Sequence, residues 1–159
     1  MPAGKSRSAL LEAAAKGDVI AAAAALQSGD AVDSVDRDGC TALHLAAMAG
    51  HEPLVQRLLA ANANVDAADR QGMTPLHFAS REHCLGVVAI LLKARANVDA
   101  QDAFGNTPLW RATFASRGRG EVIRLLRNSG ADPDLRNSSG VSARELAATI
   151  ANNDLLGFF

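Results

Sequence analysis

The chain has 159 residues, 48% of them hydrophobic, a formal net charge of −1 and six aromatic side chains, none of them tyrosine. That length suits one domain, the apolar fraction excludes disorder as the main state, and no run reaches the roughly 18 apolar residues of a bilayer span. The near-zero charge removes any bulk attraction to nucleic acid or an anionic membrane, so neither is expected as a partner. Alanine supplies 33 of the residues. It favours helix and permits close helix approach, but gives each helix little area to bury, which suggests many short, close-packed helices.

From the N-terminus, Lys5 and Arg7 precede the apolar run Val19–Leu26 in the manner of a secretory leader, but Glu12, Lys16 and Asp18 interrupt the segment between them. Gly17 stands where a first helix would stop in a left-handed conformation, which makes Val19–Leu26 a second helix instead. Next, Asp36-Arg-Asp-Gly39, Asp69-Arg-Gln-Gly72 and Asp102-Ala-Phe-Gly105 recur 33 residues apart. Each is followed by Thr41-Ala-Leu43, Thr74-Pro-Leu76 or Thr107-Pro-Leu109, then by Ala46, Ala79 or Ala112. Thr74 and Thr107 are predicted N-caps with Pro75 and Pro108 in the first helical position, where a missing N–H costs nothing. Leu54-Val55 with Leu58-Leu59, and Val87-Val88 with Leu91-Leu92, give each second helix one apolar face. Gly50 and His83 are predicted to end first helices with positive φ; Gly29, Asn62, Arg95 and Gly130 are predicted to end second helices, with mild strain at Arg95. The fourth unit holds two extra residues within Ser116–Gly120.

These residues resemble the ankyrin repeat over essentially the whole chain, with units 3–35, 36–68, 69–101, 102–136 and a truncated 137–159. The resemblance implies an all-α solenoid of helix–turn–helix units with hairpin-like loops: five repeats, including two caps, in a single domain over 1–159. It implies a structural hydrogen-bonding role for His44 and His77. Leu155, Leu156 and Phe159 fall at the positions of Leu54, Val55 and Leu58, and are expected to seal the end of the stack.

Cys40 and Cys84 show no metal-ligand spacing, which suits free thiols in a reducing cytoplasm, where the Asn137-Ser-Ser139 sequon has no meaning. Cys40 with His44, His51-Glu52, Asp36-x-Asp38-Gly39 and Gly118-Arg-Gly120 each begin a chemical motif and none completes it. Asp33/Asp36, Asp66/Asp69 and Asp99/Asp102 repeat with the period and read as scaffold. No metal, cofactor or enzymatic activity is expected.

Binding then falls to positions that the repeat leaves free, the hairpin tips and the ends of the first helices, on what the resemblance implies is a concave face. The candidates are Arg37, Asp38 and Met48 in the second unit, with Cys40 and Ala49 beside them. Met73, Arg70, Arg81 and Glu82 follow in the third unit, with Gln71. Phe104, Trp110, Arg111 and Phe114 follow in the fourth, with Ala103, Asn106 and Ala115. Trp110 replaces the His of the motif and Arg111 replaces the apolar residue seen as Leu45 and Phe78. An aromatic and arginine set has the composition of an interface anchor, although Trp110 and Phe114 could equally fill space left by the insertion. Phe78 is expected in the core, and Arg124 and Arg127 on a solvated face. The second unit carries a net −2 and the fourth a net +2, a polarity that would orient a partner.

From Gly105-Asn-Thr-Pro-Leu-Trp110, Phe114–Ile123, Gly140–Ala143 and Leu146–Phe159, the chain also resembles short bacterial ankyrin proteins, some of them similar to immunity proteins encoded beside polymorphic toxins. That resemblance implies an inhibitor that binds and neutralises a toxin or effector enzyme, by occupying its active-site cleft or blocking its substrate; the protein is expected to be cytoplasmic and monomeric when free. The alternative is a scaffold or adaptor that binds a partner without inhibiting it.

Overall fold

The computed structural model describes residues 8–150 and 153–159. Lys5 and Arg7, and Ala151 and Asn152 of the C-terminal segment, lie outside the described residues. The helices come in pairs: α1 (Ala9–Lys16) and α2 (Val19–Gln27); α3 (Ala42–Ala49) and α4 (Glu52–Ala60); α5 (Pro75–Arg81) and α6 (Leu85–Lys93); α7 (Pro108–Phe114) and α8 (Glu121–Asn128). A ninth, α9 (Ala143–Thr149), is followed by a 3₁₀ helix at Asn153–Phe158. The first helices α1, α3, α5, α7 and α9 pack in that order in one layer, and α2, α4, α6, α8 and the 3₁₀ helix pack in a second. This is the all-helical stack that the repeat predicts, and Val19–Gln27 is indeed a second helix.

The small residues explain the spacing. Ala46, Ala79, Ala112 and Ala147 are fully buried between first helices, and Leu54, Val55, Leu58, Val87, Val88 and Leu91 fill the space between layers. The turns obey the same logic. Gly17, Gly50 and His83 end first helices, while Gly29, Asn62, Arg95 and Gly130 end second helices, all with positive φ. Arg117 and Gly118, inside the two-residue insertion, also have positive φ, which the period did not foretell because the insertion has no counterpart in the other units.

Hydrogen bonds join unit to unit at several levels. Buried His44 accepts the Thr41 N–H on Nδ1 (3.0 Å), which places its proton on Nε2, and this donates to the Met73 carbonyl (3.0 Å). His77 repeats the arrangement with the Thr74 N–H (3.1 Å) and the Asn106 carbonyl (3.0 Å). Burial pushes both imidazoles below the ordinary histidine range and so favours this neutral, bridging form. At the outer loops, Asp33, Asp66 and Asp99 accept from the backbone N–H of Asn64, Asn97 and Asp132 (3.0, 2.8 and 2.9 Å). At the hairpin tips, the Asp38, Gln71 and Phe104 carbonyls accept from the N–H of Arg70, Ala103 and Ser138 (3.0, 2.8 and 2.9 Å). Successive tips approach so closely that a Cβ at Gly72 would lie 2.9 Å from the Ala103 nitrogen. Only glycine fits that combination of positive φ and close approach.

The C-terminal seal differs from expectation. Leu155 is buried, and Phe158 and Phe159 are half-buried against the core as expected, but Leu156 is exposed; the Arg124 guanidinium lies 4.9 Å from the Phe158 ring centre. The cause is the 3₁₀ geometry: three residues per turn put Leu155 and Phe158 on one face and leave Leu156 outward, where the α-helical register predicted it to be covered. Arg127, expected to be a plain solvated residue, donates to the Ala131 carbonyl that closes its own unit.

Candidate functional site

Hollows open along the face made by the hairpin tips and the first helices, three of them beside the predicted positions. In the second and third units, Asp36, Asp38, Cys40, Leu45, Met48, Asp69, Gln71, Met73, Phe78 and Arg81 border a hollow of about 380 Å³. The largest, about 620 Å³, lies between α7, α9 and their tips, against Phe104, Trp110, Phe114, Val141 and Leu146. Its polar wall carries Gln71, Asn106, Asn137 and Ser138. The third, about 460 Å³, shares Phe114 with it and is completed by Arg81, Glu82, Ala115, Arg117 and Arg119.

The large groove is built by departures from the repeat. The N-cap Thr107 receives the Trp110 N–H (3.1 Å), so α7 starts as α3 does. The Trp110 indole then stacks on Phe114, one helical turn later, with ring centres 5.3 Å apart and planes within 10°. Stacking of this kind fixes both rings. Trp110 is half-buried, while Phe114 and Phe104 are 65% and 58% exposed. The two readings of this pair divide accordingly: Trp110 packs, and Phe114 is presented to solvent upon it.

Arg111 is less free than the sequence suggests. Its Nε donates to Asp102 Oδ2 at 2.9 Å and its Nη2 bonds the same oxygen. Asp102 Oδ1 accepts from the Phe104 and Asn106 N–H (2.8 and 3.0 Å), the tip-closing pair that Asp36 and Asp69 also make. Burial pushes the Asp102 carboxyl up, but the Arg111 guanidinium and the two N–H groups outweigh it and hold the group below its usual value. Arg111 therefore lines the groove as a fixed wall. Asn137 extends the network by donating to Asn106 Oδ1 (2.8 Å).

Among the predicted positions, the structure gathers Phe104, Trp110, Arg111 and Phe114 around the large groove, Arg81, Glu82 and Phe114 around the basic hollow, and Asp38, Met48, Met73 and Arg81 around the acidic one. Arg37 and Arg70 are exposed on the tips but border none of these. Met73 is only 2% exposed, because the residue after the tip glycine turns inward to precede the N-cap; its carbonyl bonds His44, and the residue forms part of the floor of the acidic hollow. Cys40 and Asn106 are buried for the same reason. Phe78 is in the core as expected, edge-on to His44 at 5.7 Å. Sequence reasoning missed the far wall, Asn137, Val141, Leu146 and Thr149. The available signal was Leu146 standing nine residues after Asn137, as Arg111 stands after Asp102.

Among the described residues, no three His, Cys, Asp or Glu side chains are grouped so as to hold a metal ion, and no described helix is long and apolar enough to cross a membrane. Burial pushes the half-buried Cys84 thiol above its ordinary value, away from the thiolate. A family model described as ankyrin repeats, in three copies, matches residues 10–102, and a second, ankyrin repeats in many copies, matches residues 79–127. Comparison with curated proteins found no match.

Proposed function

Because the chain belongs to the ankyrin-repeat family, a non-catalytic scaffold that binds protein partners, we propose that it works as an inhibitor whose docking face centres on the fourth and fifth units. The observation that carries this is the groove around Phe104, Trp110 and Phe114. Two exposed aromatic rings sit on rigid supports, beside a buried polar network that is already satisfied. Such a surface offers apolar area to a partner at little cost in ordering. It offers no nucleophile beside a base, so the role is binding rather than turnover.

The finer reading is an immunity protein that neutralises a toxin or effector enzyme, monomeric until it meets that enzyme. It rests on the resemblance of residues 105–159 to short bacterial ankyrin immunity proteins, and the polarity of the face supports it. An acidic hollow followed by a basic one admits a partner in one orientation and speeds its encounter. The test is affinity capture from the source cell, followed by an activity assay of the captured protein at saturating concentrations of this chain. Loss of a nuclease, transferase or hydrolase activity is expected. A captured enzyme that keeps full activity when saturated refutes inhibition and leaves the adaptor reading.

A further inference from the structure

The basic hollow and the large groove meet at Phe114, and their chemistries differ. Arg81, Arg117 and Arg119 face one carboxylate, Glu82, across the basic hollow, and Glu82 is occupied by the Arg81 Nε at 2.8 Å. Arg119 donates only to the Ser116 and Ala115 carbonyls (3.2 and 3.4 Å), and Arg117 projects from the insertion exposed. No acid of this chain forms an ion pair with either guanidinium among the described residues. Both lie in Ser116–Gly120, the segment that holds the two extra residues of the fourth unit. On the other side of Phe114 the wall is apolar: Trp110, Phe104, Val141 and Leu146.

The geometry points to a partner segment that is acidic and carries an apolar anchor: a leucine or aromatic side chain seated between α7 and α9, with an Asp or Glu reaching across Phe114 to Arg117 and Arg119. This deepens the protein-binding reading above and rests on it. Two observations favour a peptide over single-stranded nucleic acid, which also uses arginines and aromatic rings. Trp110 and Phe114 are stacked on each other, which removes the paired faces that successive bases would need. The neighbouring Asp36, Asp38 and Asp69 would repel a continuing phosphate backbone but only a distant part of a short acidic peptide.

The test is selection of random dodecapeptides on phage against the full chain, followed by titration of synthetic winners. Trp110 is the only tryptophan and tyrosine is absent, so its emission reports groove occupancy directly. Enriched peptides should place Asp or Glu within about four residues of a Leu, Phe or Trp, and should shift Trp110 emission on binding. The double variant Arg117→Glu/Arg119→Glu should weaken such peptides about tenfold, since two exposed attractions become repulsions, and selection against it should turn to basic peptides. Phe114→Ala should weaken them too, with an unchanged circular-dichroism spectrum as the check on folding. Peptides without acidic bias, affinity untouched by the double reversal, no enrichment at all, or displacement of the peptides by a dodecameric oligothymidylate would each overturn the assignment. A partner captured from cells that still binds the double reversal with full affinity would refute this location while leaving the protein-binding reading intact.

Discussion

The pair Asp102–Arg111 is the best place to test whether the fourth unit has been altered at the expense of its own stability. Arg111 is four-fifths covered, with 19% of its side chain exposed, and the Asp102 side chain is fully buried. Asp102→Asn keeps an oxygen for the Phe104 and Asn106 N–H groups but leaves the guanidinium without its charge partner. Breaking a buried pair from one side costs about 3–5 kcal/mol. The water-accessible edge of Arg111 lowers that to about 2 kcal/mol. Arg111→Leu leaves a carboxylate with two N–H donors, which is the arrangement of Asp36 with Leu45 and of Asp69 with Phe78 in the earlier units. About 1 kcal/mol suffices there. The double variant recreates the fifth unit, where Asn137 Oδ1 accepts from the Ser139 and Val141 N–H (both 3.0 Å) and Leu146 stands in place of the arginine. It should lose no more than about 1 kcal/mol, so the two single losses overshoot it by about 2 kcal/mol of coupling. Urea unfolding at pH 7, followed by circular dichroism, supplies the midpoints. The coupling should also disappear in acid. Asp102 has a lowered carboxyl pKa when folded, so its contribution is complete above the unfolded value near 3.9 and is lost as pH falls through the folded value. Single losses that add to the double within about 0.5 kcal/mol would refute this reading of the pair.

Other outcomes follow from the same interactions. His44, His77 and His83 are all held below the ordinary histidine range, with burial the leading cause; the unfolded chain therefore binds protons first, and the urea midpoint should fall as pH drops below about 6.5. A midpoint unchanged between pH 7 and pH 5 would show that these rings are not held neutral. Gly72→Ala should destabilise at least twice as much as Gly140→Ala, whose cost is about 1 kcal/mol. Both have positive φ, but only Gly72 faces the next tip, while Gly140 has open space around it; equal melting shifts would show that the tips tolerate separation. Phe114→Ala, at an exposed position, should move the thermal midpoint by less than about 2 °C yet redden Trp110 emission, because it uncovers one face of the indole. An unchanged spectrum would contradict the stacked pair.

The scaffold was legible because it repeats. Thr41, Thr74 and Thr107, the alanines between first helices and the glycines at the turns recur at one spacing, and each residue type has a single physical reason to be there. Even the strained Arg95 could be read by register alone. The site was legible only in part. Arg111 and Trp110 stood out as departures from the repeat, but a departure does not reveal its partner: Asp102 resembled Asp36 and Asp69 in sequence, and only the packing shows its second oxygen turned to Arg111. Met73 borders the acidic hollow, but its burial was not legible, because its position beside a tip suggested exposure and the chain has already turned inward there. At the C-terminal seal only Leu156 was misread, because the period of a 3₁₀ turn cannot be told from that of an α-helix over six residues.

One substitution accounts for the place of the groove. In the second and third units, the imidazole joins two hairpins: one nitrogen accepts from the N-cap N–H and the other donates to the next unit's backbone. Trp110 stands where the third such imidazole would be. An indole has a donor but no acceptor, so it cannot receive the Thr107 N–H, and its Nε1 is buried without a partner among the described residues. The bridge between the fourth and fifth units is therefore absent, and the largest of the hollows lies against that joint. The ring that forfeits the bridge turns along α7 to support Phe114 instead. A joint that surrenders two buried hydrogen bonds and gains an exposed aromatic ring has no advantage for the stack alone. Local rules are broken in this way where function needs the space.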